Sequence, residues 1–377
     1  MSRSTIAKKA AAGVAAAALL SLTACGGGNG GGGANAWVLT GGGWPAVEAD
    51  FESWNEERED QQIAVESFEN DAYKERIRTV VGSGEAPTLI MNWTGGALLE
   101  YVEGDHVVDI TSETEELRGQ IHESVWQNGE VDGSVYAVPL NDVQPVVLYY
   151  NQELFDQAGI EVPQTWAEVE EAVAVFNEEG VTPFSLAGGS VWPALMWLQY
   201  LTDRHGGEEA FQAVIEGEEN AWSDESILYA LEQIQWLAEN GGFDETFTSV
   251  TADQNEDARL LADGEAAMLL QGSWVYATIH EDFPDFAESG DFGFAEFPVL
   301  EDGAGDPSNI VGNPANFWSV SADARRRTRR PPSATSPSIS TTRRRWRPCW
   351  SRGRCRRWRH RGPDRRLRGR RLPRVRQ

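Results

Sequence analysis

Cysteine is nearly absent from the first 324 residues of this 377-residue chain. Cys25 is the only one there, while Cys349 and Cys355 lie near the C-terminus. No disulfide can therefore form within residues 1–324. If Cys25 carries a lipid, as argued below, no cysteine is left in these residues to act as a nucleophile. The motifs Gly-x-Ser-x-Gly, Gly-x-x-x-x-Gly-Lys-Ser/Thr and His-Glu-x-x-His are also missing. The sequence thus gives no positive sign of catalysis.

Basic residues are scarce in the same part of the chain. Residues 1–324 contain 10 Lys and Arg against 58 Asp and Glu, a formal charge of −48. This excess excludes a nucleic-acid binder that relies on overall charge. It favours a secreted protein kept soluble in a saline habitat, or a protein that attracts cationic solutes such as polyamines.

Residues 325–377 have the opposite character, with 22 Arg, no Lys and one acid. No apolar period of 2 or 3.6 residues runs through them. Their Arg, Pro, Ser, Gly, Trp and Cys residues have codons rich in G and C, so we interpret this Arg-rich tail as out-of-frame translation. The alternative is an arginine-rich arm that binds nucleic-acid phosphate.

Long apolar runs are lacking at the N-terminus. The run over residues 10–22 follows three basic residues and is too short to span a bilayer of ~30 Å as a helix. It ends in Leu-Thr-Ala-Cys, which resembles a bacterial lipobox. We therefore predict a lipoprotein signal peptide over 1–24, lipid attachment at Cys25 and a Gly-rich tether over 25–35. The folded part would then lie at the extracellular face of the cell membrane without crossing it.

Short apolar runs alternate with amphipathic segments after the tether. The strand signals at 36–40, 63–68 and 88–91 are each followed by a helix signal. This alternation predicts an α/β fold with a largely parallel sheet, and such sheets bind ligands at the carboxyl ends of their strands. The residues expected at that edge are Trp44, Glu69, Asn70, Asn92 and Trp93.

A more specific pattern covers residues 133–168. It reads Gly-x-x-Tyr-x-Val-Pro, then Leu-Tyr-Tyr-Asn-x-x-Leu-Phe-x-x-Ala-Gly-Ile, then Pro-x-Thr-Trp-x-Glu. Gly159 is typical of a helix stop, and Thr165 with Glu168 predicts a capping box at the start of the next helix. Together with the segments at 86–90, 180–184 and 261–274, this pattern resembles the family 1 extracellular solute-binding proteins of ABC importers, especially the sugar-binding members.

The resemblance covers roughly residues 1–324 and implies a hinged, two-lobe periplasmic-binding-protein-like fold. Lobe 1 is expected over 36–145, and most of lobe 2, with the hinge crossings, over 146–324. The resemblance also implies a monomer without cofactor or metal, which closes over a sugar and presents it to ABC permease subunits while other subunits hydrolyse ATP. Members of the family continue with mostly helical chain beyond a point like Ala324, so the second lobe is expected to be incomplete.

Tryptophan is abundant, with 12 of the 15 Trp before the Arg-rich tail. An indole can stack on the apolar face of a pyranose ring, while amide and carboxylate side chains bond its hydroxyls. Five Trp lie in or beside loops, and Trp197, on a helix, could face either the cleft or the core. Helical spacing favours core packing for Trp54, Trp166 and Trp236. The predicted ligand-binding residues are Trp44, Glu69, Asn70, Asn92, Trp93, Asn141, Asp142, Trp192, Trp197, Gln271, Trp274, Asn316 and Trp318.

Three other functions stay open at this point. A receptor for polyamines or other cationic solutes would also combine carboxylates with aromatic boxes. A surface glycoside-active enzyme would need a carboxylate pair, which 58 acids neither support nor exclude. A nucleic-acid binder would use the Arg-rich tail. Metal binding is not expected, because the four histidines before the tail are scattered among acidic residues.

Overall fold

A computed structural model describes residues 33–324. The predicted signal peptide, Cys25, most of the tether and the Arg-rich tail lie outside these residues. The strands are β1 (Ala34–Leu39), β2 (Ile63–Phe68), β3 (Leu89–Asn92), β4 (Glu130–Val131), β5 (Ser134–Val135), β6 (Val138–Pro139), β7 (Gln144–Asn151), β8 (Thr182–Ser185), β9 (Ala266–Gly272), β10 (Phe292–Ala295), β11 (Gly312–Asn313) and β12 (Phe317–Val320). The helices are α1 (Trp44–Glu57), α2 (Asn70–Ser83), α3 (Gly95–Glu103), α4 (Thr111–Arg118), α5 (Glu123–Trp126), α6 (Gln152–Ala158), α7 (Trp166–Glu179), α8 (Pro193–Gly206), α9 (Glu209–Ile215), α10 (Glu225–Glu239), α11 (Glu256–Ala262), α12 (Trp274–Asp282) and α13 (Pro284–Ser289). No helix among the described residues has the length and apolar character needed to cross a bilayer.

The first lobe is built around a five-stranded sheet in the order β2-β1-β3-β12-β6. β1 pairs in parallel with β2 and β3, as the sequence predicts. β12 runs antiparallel between β3 and β6, so the last described strand completes the first lobe. We call this sheet and the helices packed against it lobe 1; its core includes the buried side chains of Tyr73, Ile90 and Phe317.

The second lobe contains a sheet in the order β10-β7-β9-β8, with β11 paired to β7. Only β8 and β9 pair in parallel; β7 is antiparallel to β9, β10 and β11. The parallel pairing predicted from the alternation in the first lobe therefore does not extend to this lobe. β9 is buried along its whole length, and a fully buried strand forms the same continuous apolar run in either direction.

Local signals for α6 and α7 are confirmed. Glu168 N–H donates to Thr165 Oγ1 at 3.3 Å, and Thr165 N–H donates to Glu168 Oε2 at 3.1 Å, which completes the predicted capping box of α7. α6 ends at Gly159 with φ +69°, a left-handed conformation that glycine adopts without steric penalty. The apolar side of α7, including Val173 and Phe176, packs in the core of lobe 2.

Two segments of the described chain connect the lobes, 140–144 on the way out and 312–316 on the way back. Gly312 pairs with Pro145 in β7, and a Cβ on Gly312 would lie 2.4 Å from the carbonyl oxygen of Gln144. Asn141 Nδ2 donates to Asn316 Oδ1 at 2.8 Å, and Asn316 N–H donates to Asn141 Oδ1 at 2.7 Å. These two hydrogen bonds therefore hold the crossings against each other.

Candidate functional site

A cavity of about 580 Å³ lies between the lobes at the carboxyl ends of β1, β2 and β3. Lobe 2 closes it with the start of β7, the start of α8, the segment 252–257 and α12. Eight of the predicted ligand-binding residues line this cleft cavity: Trp44, Glu69, Asn70, Trp93, Trp192, Gln271, Trp274 and Asn316.

Four indoles converge on the cleft cavity, two from each lobe. Trp44 and Trp93 belong to lobe 1, and Trp192 and Trp274 to lobe 2. The rings of Trp192 and Trp274 are 5.9 Å apart at an interplanar angle of 54°. Tyr73 supports Trp93 edge-on, with ring centroids 5.9 Å apart. Indoles from both lobes thus line one space.

Glycine residues make room for Trp274. A Cβ on Gly272 would lie 2.0 Å from Cζ3 of the Trp274 ring, so the indole lies directly against the Gly272 backbone. Gly41 and Gly42 have φ values of +70° and +53°, and the position of a Gly42 Cβ is 3.7 Å from Trp274 Cβ. The Gly-rich loop of lobe 1 and the Gly-Ser-Trp segment of lobe 2 therefore meet at this indole.

Strained backbone flanks two of the four indoles. Thr94, directly after Trp93, has φ +60°, and Val191, directly before Trp192, has φ +65°. Both are β-branched, a class of residue for which positive φ is a genuine outlier. The backbone N–H of Trp192 donates to the backbone carbonyl oxygen of Ser190 at 2.7 Å, so Val191 is the central residue of a γ-turn. Strain of this kind is concentrated at ligand sites, where it fixes the direction of a side chain.

Asn92 holds the turn that carries Trp93. Its Oδ1 accepts Thr94 N–H at 3.0 Å and its Nδ2 donates to Ser319 Oγ at 2.8 Å. Only 2% of Asn92 is exposed. The structure therefore places this amide beneath the cavity wall rather than in it.

Five acids and one base line the cleft cavity; the acids are Glu69, Asp253, Asp257, Glu281 and Asp282, and the base is Lys74. Asp257 is buried and accepts Gln271 Nε2–H at 2.9 Å. Burial raises the pKa of the Asp257 carboxyl above the ordinary aspartate value. The hydrogen bonds from Gln271 and from the backbone N–H of Ala258 act in the opposite sense. Burial lowers the pKa of the Lys74 ammonium, while the negative charges of Asp71 and Asp253 act in the opposite sense.

The two lobes also touch through a helix end. Asp71 N–H, in the first turn of α2 in lobe 1, donates to both carboxylate oxygens of Asp253 in lobe 2, each at 3.0 Å. No side chain of lobe 1 caps α2 at its N-cap residue. A carboxylate at this position satisfies free N–H groups and interacts favourably with the helix dipole. Burial nevertheless raises the pKa of Asp253.

Some side-chain amides that line the cavity already form hydrogen bonds within the protein, and others do not. Gln271 donates to Asp257 and accepts Gly272 N–H, while the amide oxygen of Asn316 accepts from Asn141. By contrast, no hydrogen bond to another described residue engages the side-chain amides of Gln144, Gln199 and Asn313, which also line the cavity. These three amides are therefore available to bond the hydroxyls of a solute.

The remaining predicted ligand-binding residues lie elsewhere. Asn141 is in the outgoing crossing and Asp142 is exposed beside it. Trp197 is 1% exposed in the core of lobe 2, edge-on to Phe184. Trp318 packs edge-on against Phe51 in lobe 1.

One of the three predicted core tryptophans is not in a core. Trp54 is 37% exposed on α1, and the Arg58 guanidinium stacks over its ring at 4.0 Å. The prediction of core packing is wrong for this residue, because spacing along a helix selects a stripe but not how far around the helix the neighbouring sheet reaches.

Most of the cavity wall was not predicted from the sequence, and the unpredicted residues include Lys74, Gln144, Gln199, Asp253 and Asn313. For Lys74 a signal was present, since it is the only lysine among residues 33–324. The others are polar residues on segments that only the tertiary fold brings to the cleft.

A second and more open cavity, of about 740 Å³, lies beside α4 and contains Asp109, Arg118 and Trp126. None of the predicted ligand-binding residues lines it. Among the described residues, no group of three His, Cys, Asp or Glu side chains is placed to hold a metal ion.

Comparison with known proteins also indicates a solute-binding protein. The sequence model of the family described as bacterial extracellular solute-binding protein matches residues 38–327. An ABC transporter extracellular-binding protein of Pyrococcus horikoshii is 26% identical over 203 residues, 53% of this chain and 45% of that protein. A multiple sugar-binding protein of Streptococcus mutans is 25% identical over 243 residues, 63% of this chain and 56% of that protein. The chain thus spans about half the length of these curated relatives.

Solved structures share the fold. A structure from work on xylan utilization by the thermophilic bacterium Caldanaerobius polysaccharolyticus is 29% identical with a TM-score of 0.71, and the match covers 78% of this chain and 76% of that chain. A chitin oligosaccharide binding protein matches with a TM-score of 0.64 at 21% identity, over 78% of this chain and 75% of that chain.

Proposed function

Because the chain belongs to the family of bacterial extracellular solute-binding proteins, we propose that it is the solute receptor of an ABC importer and binds a sugar or oligosaccharide between its lobes. The observation that carries this proposal is the convergence of four indoles, two from each lobe, on one cavity. The sugar-binding relatives support the same class of solute.

In the proposed mechanism the lobes close over the solute and present the closed form to the permease. The indoles stack on the apolar faces of the sugar rings, while Gln144, Gln199, Asn313 and Asn70 bond the hydroxyls. Each stacked ring contributes ~1 kcal/mol, offset by the free-energy cost of ordering the closed form. The solute leaves chemically unchanged, and the protein acts as a monomer.

Calorimetric titration of the purified chain with neutral monosaccharides and oligosaccharides tests the proposal. Trp93→Ala and Trp274→Ala should each weaken binding of the sugar so identified by at least about fivefold, the equivalent of one lost stack. Trp222→Ala is the matched control, since Trp222 is 60% exposed and lies outside the cleft cavity. Its affinity should equal that of the unchanged protein.

Two results would overturn the proposal in different directions. Binding of spermidine but of no sugar would assign the protein to the receptors for cationic solutes. Release of reducing sugar from an oligosaccharide would assign it to the glycoside-active enzymes, whereas recovery of unchanged sugar from the complex supports the receptor.

The location is part of the proposal: a lipid on Cys25 would hold the protein at the extracellular face of the cell membrane. Cys25→Ser should move the protein from the membrane fraction to the medium or the soluble fraction. Nucleic acid is not among the proposed partners. Steeply salt-dependent DNA affinity that disappears on removal of residues 325–377 would contradict this.

A further inference from the structure

Lys74 is the only lysine among residues 33–324, and its ammonium lies in the cleft cavity. It projects from α2 of lobe 1. Its Nζ is 4.9 Å from the ring centroid of Trp93 in lobe 1 and 5.1 Å from that of Trp192 in lobe 2. One cation thus lies within interaction distance of an indole from each lobe.

The surroundings of the ammonium are acidic without providing a direct partner. Asp71 and Asp253 act on it electrostatically, yet no hydrogen bond or ion pair joins it to another residue of the described chain. Four more carboxyl groups line the same cavity, at Glu69, Asp257, Glu281 and Asp282. Without Lys74, every charged side chain that lines the cavity would therefore be an acid.

Aromatic faces together with nearby carboxylates are what a protein needs to bind an organic ammonium ion. The cleft contains both, so its wall alone would favour amines and polyamines. The charge of −48 on residues 1–324 would add long-range attraction for such cations. The cleft differs from a cation receptor because the Lys74 ammonium already lies near the indoles that would bind a cationic solute.

We propose that Lys74 is a specificity-determining residue: its ammonium occupies the cation position between Trp93 and Trp192, so the cleft rejects cationic solutes and accepts uncharged sugars. Rejection arises because a second cation at this place meets a like charge that it cannot displace. Acceptance is preserved because the ammonium N–H groups, which have no acceptor among residues 33–324, can donate to neutral hydroxyl oxygens. This inference rests on the proposed function and defines its solute as uncharged.

The probe that follows from the chemistry is n-butylammonium, which has the structure of the lysine side chain itself. Lys74→Ala removes the side chain beyond Cβ, which is three methylene groups and the ammonium, and it keeps a good helix former in α2. We expect n-butylammonium to bind Lys74→Ala at least tenfold more tightly than it binds the unchanged protein, with a change in tryptophan fluorescence. Lys74→Arg keeps the positive charge and should show no gain.

The test compares the n-butylammonium affinities of Lys74→Ala and Lys74→Arg with that of the unchanged protein. The unchanged protein is also titrated with the sugar identified for it. Equal n-butylammonium affinity in the unchanged protein and Lys74→Ala would overturn the inference, and so would an equal gain in Lys74→Arg. If Lys74→Ala does not fold, Lys74→Gln is the second neutral variant, judged by the same tenfold gain. Failure of the unchanged protein to bind any sugar would instead refute the proposed function, so the two failures are distinct.

Discussion

The carboxylate of Asp253 in lobe 2 receives the backbone N–H of Asp71 in lobe 1, with both oxygens 3.0 Å from the nitrogen. α2 thereby obtains its cap from the opposite lobe. We expect Asp253→Ala to shift the ligand-free protein toward an open form and to weaken sugar binding by about fivefold, because a lost cap is worth ~1 kcal/mol. Small-angle scattering should show a larger radius of gyration, and calorimetry the weaker binding.

The control for this prediction is a cap that lies within one lobe. Asp224 accepts Ser226 N–H at 2.8 Å at the start of α10, so Asp224→Ala should lower the free energy of unfolding by a similar amount. Its sugar affinity and radius of gyration should not change. Equal loss of affinity in both variants would mean that the Asp253 contact stabilises the fold without influencing closure.

Gly272→Ala should displace the Trp274 indole. The added methyl would lie 2.0 Å from Cζ3 of the ring, far inside van der Waals contact. We expect sugar binding to weaken by fivefold or more, since one stacking face is lost or misplaced. Gly119→Ala, at a position with open space and φ −74°, should bind as tightly as the unchanged protein. Undiminished affinity in Gly272→Ala would show that Trp274 does not touch the solute.

Val191→Gly should stabilise the protein. The side chain is 72% exposed and its φ is +65°, so the substitution removes backbone strain and little packing. We expect the free energy of unfolding to rise by ~1 kcal/mol, measured by urea denaturation. Val191→Ala retains a Cβ and hence the strain, and should give no gain. A loss of stability in Val191→Gly would contradict the strain described at this turn.

Asp257 should make stability depend on pH in a definite direction. Because burial raises the pKa of Asp257 in the folded protein, the folded state retains a proton that the unfolded chain loses near the ordinary aspartate value. The contribution of this group to the free energy of unfolding is therefore complete at low pH. It falls as the pH rises toward the folded-state pKa, by at most ~1.4 kcal/mol per pH unit.

Asp257→Asn tests this dependence because the amide has no proton to lose. The free energy of unfolding of Asp257→Asn minus that of the unchanged protein should increase from about pH 4 upward. An altered hydrogen bond to Gln271 adds a difference that does not vary with pH, so the slope is the measurement. A difference that stays constant between pH 4 and 7 would mean that Asp257 is ionised in both states.

The elements that local sequence determines were the ones predicted well. β2 coincides with the apolar run at 63–68, and the capping box at Thr165 begins α7. Strand direction in lobe 2 was not predictable in this way, because β9 is buried on both faces and its pattern contains no sign of orientation. The return of β12 to lobe 1 depends equally on contacts with β3 and β6 that are remote in sequence.

The cleft cavity was predictable where residues follow strand ends or glycine turns, as Trp44, Trp93 and Trp274 do. The position of Trp197 within a helix does not show whether its ring faces the cleft or the core. It lies in the core because α8 directs it toward Phe184 and Phe243. Asp253 could not be found from its neighbours in sequence. Its significance comes from a partner 182 residues away.

The position of β12 governs the order in which the molecule can assemble. This strand lies between β3 and β6, so until Phe317–Val320 has been made, the first lobe has an open gap in its sheet and β6 has no neighbour there. The whole second lobe is synthesised during that interval. Ribosomes must therefore deliver nearly the entire described chain before its N-terminal half can close, and a nascent chain arrested at Asn313 would leave two strand edges exposed to aggregation.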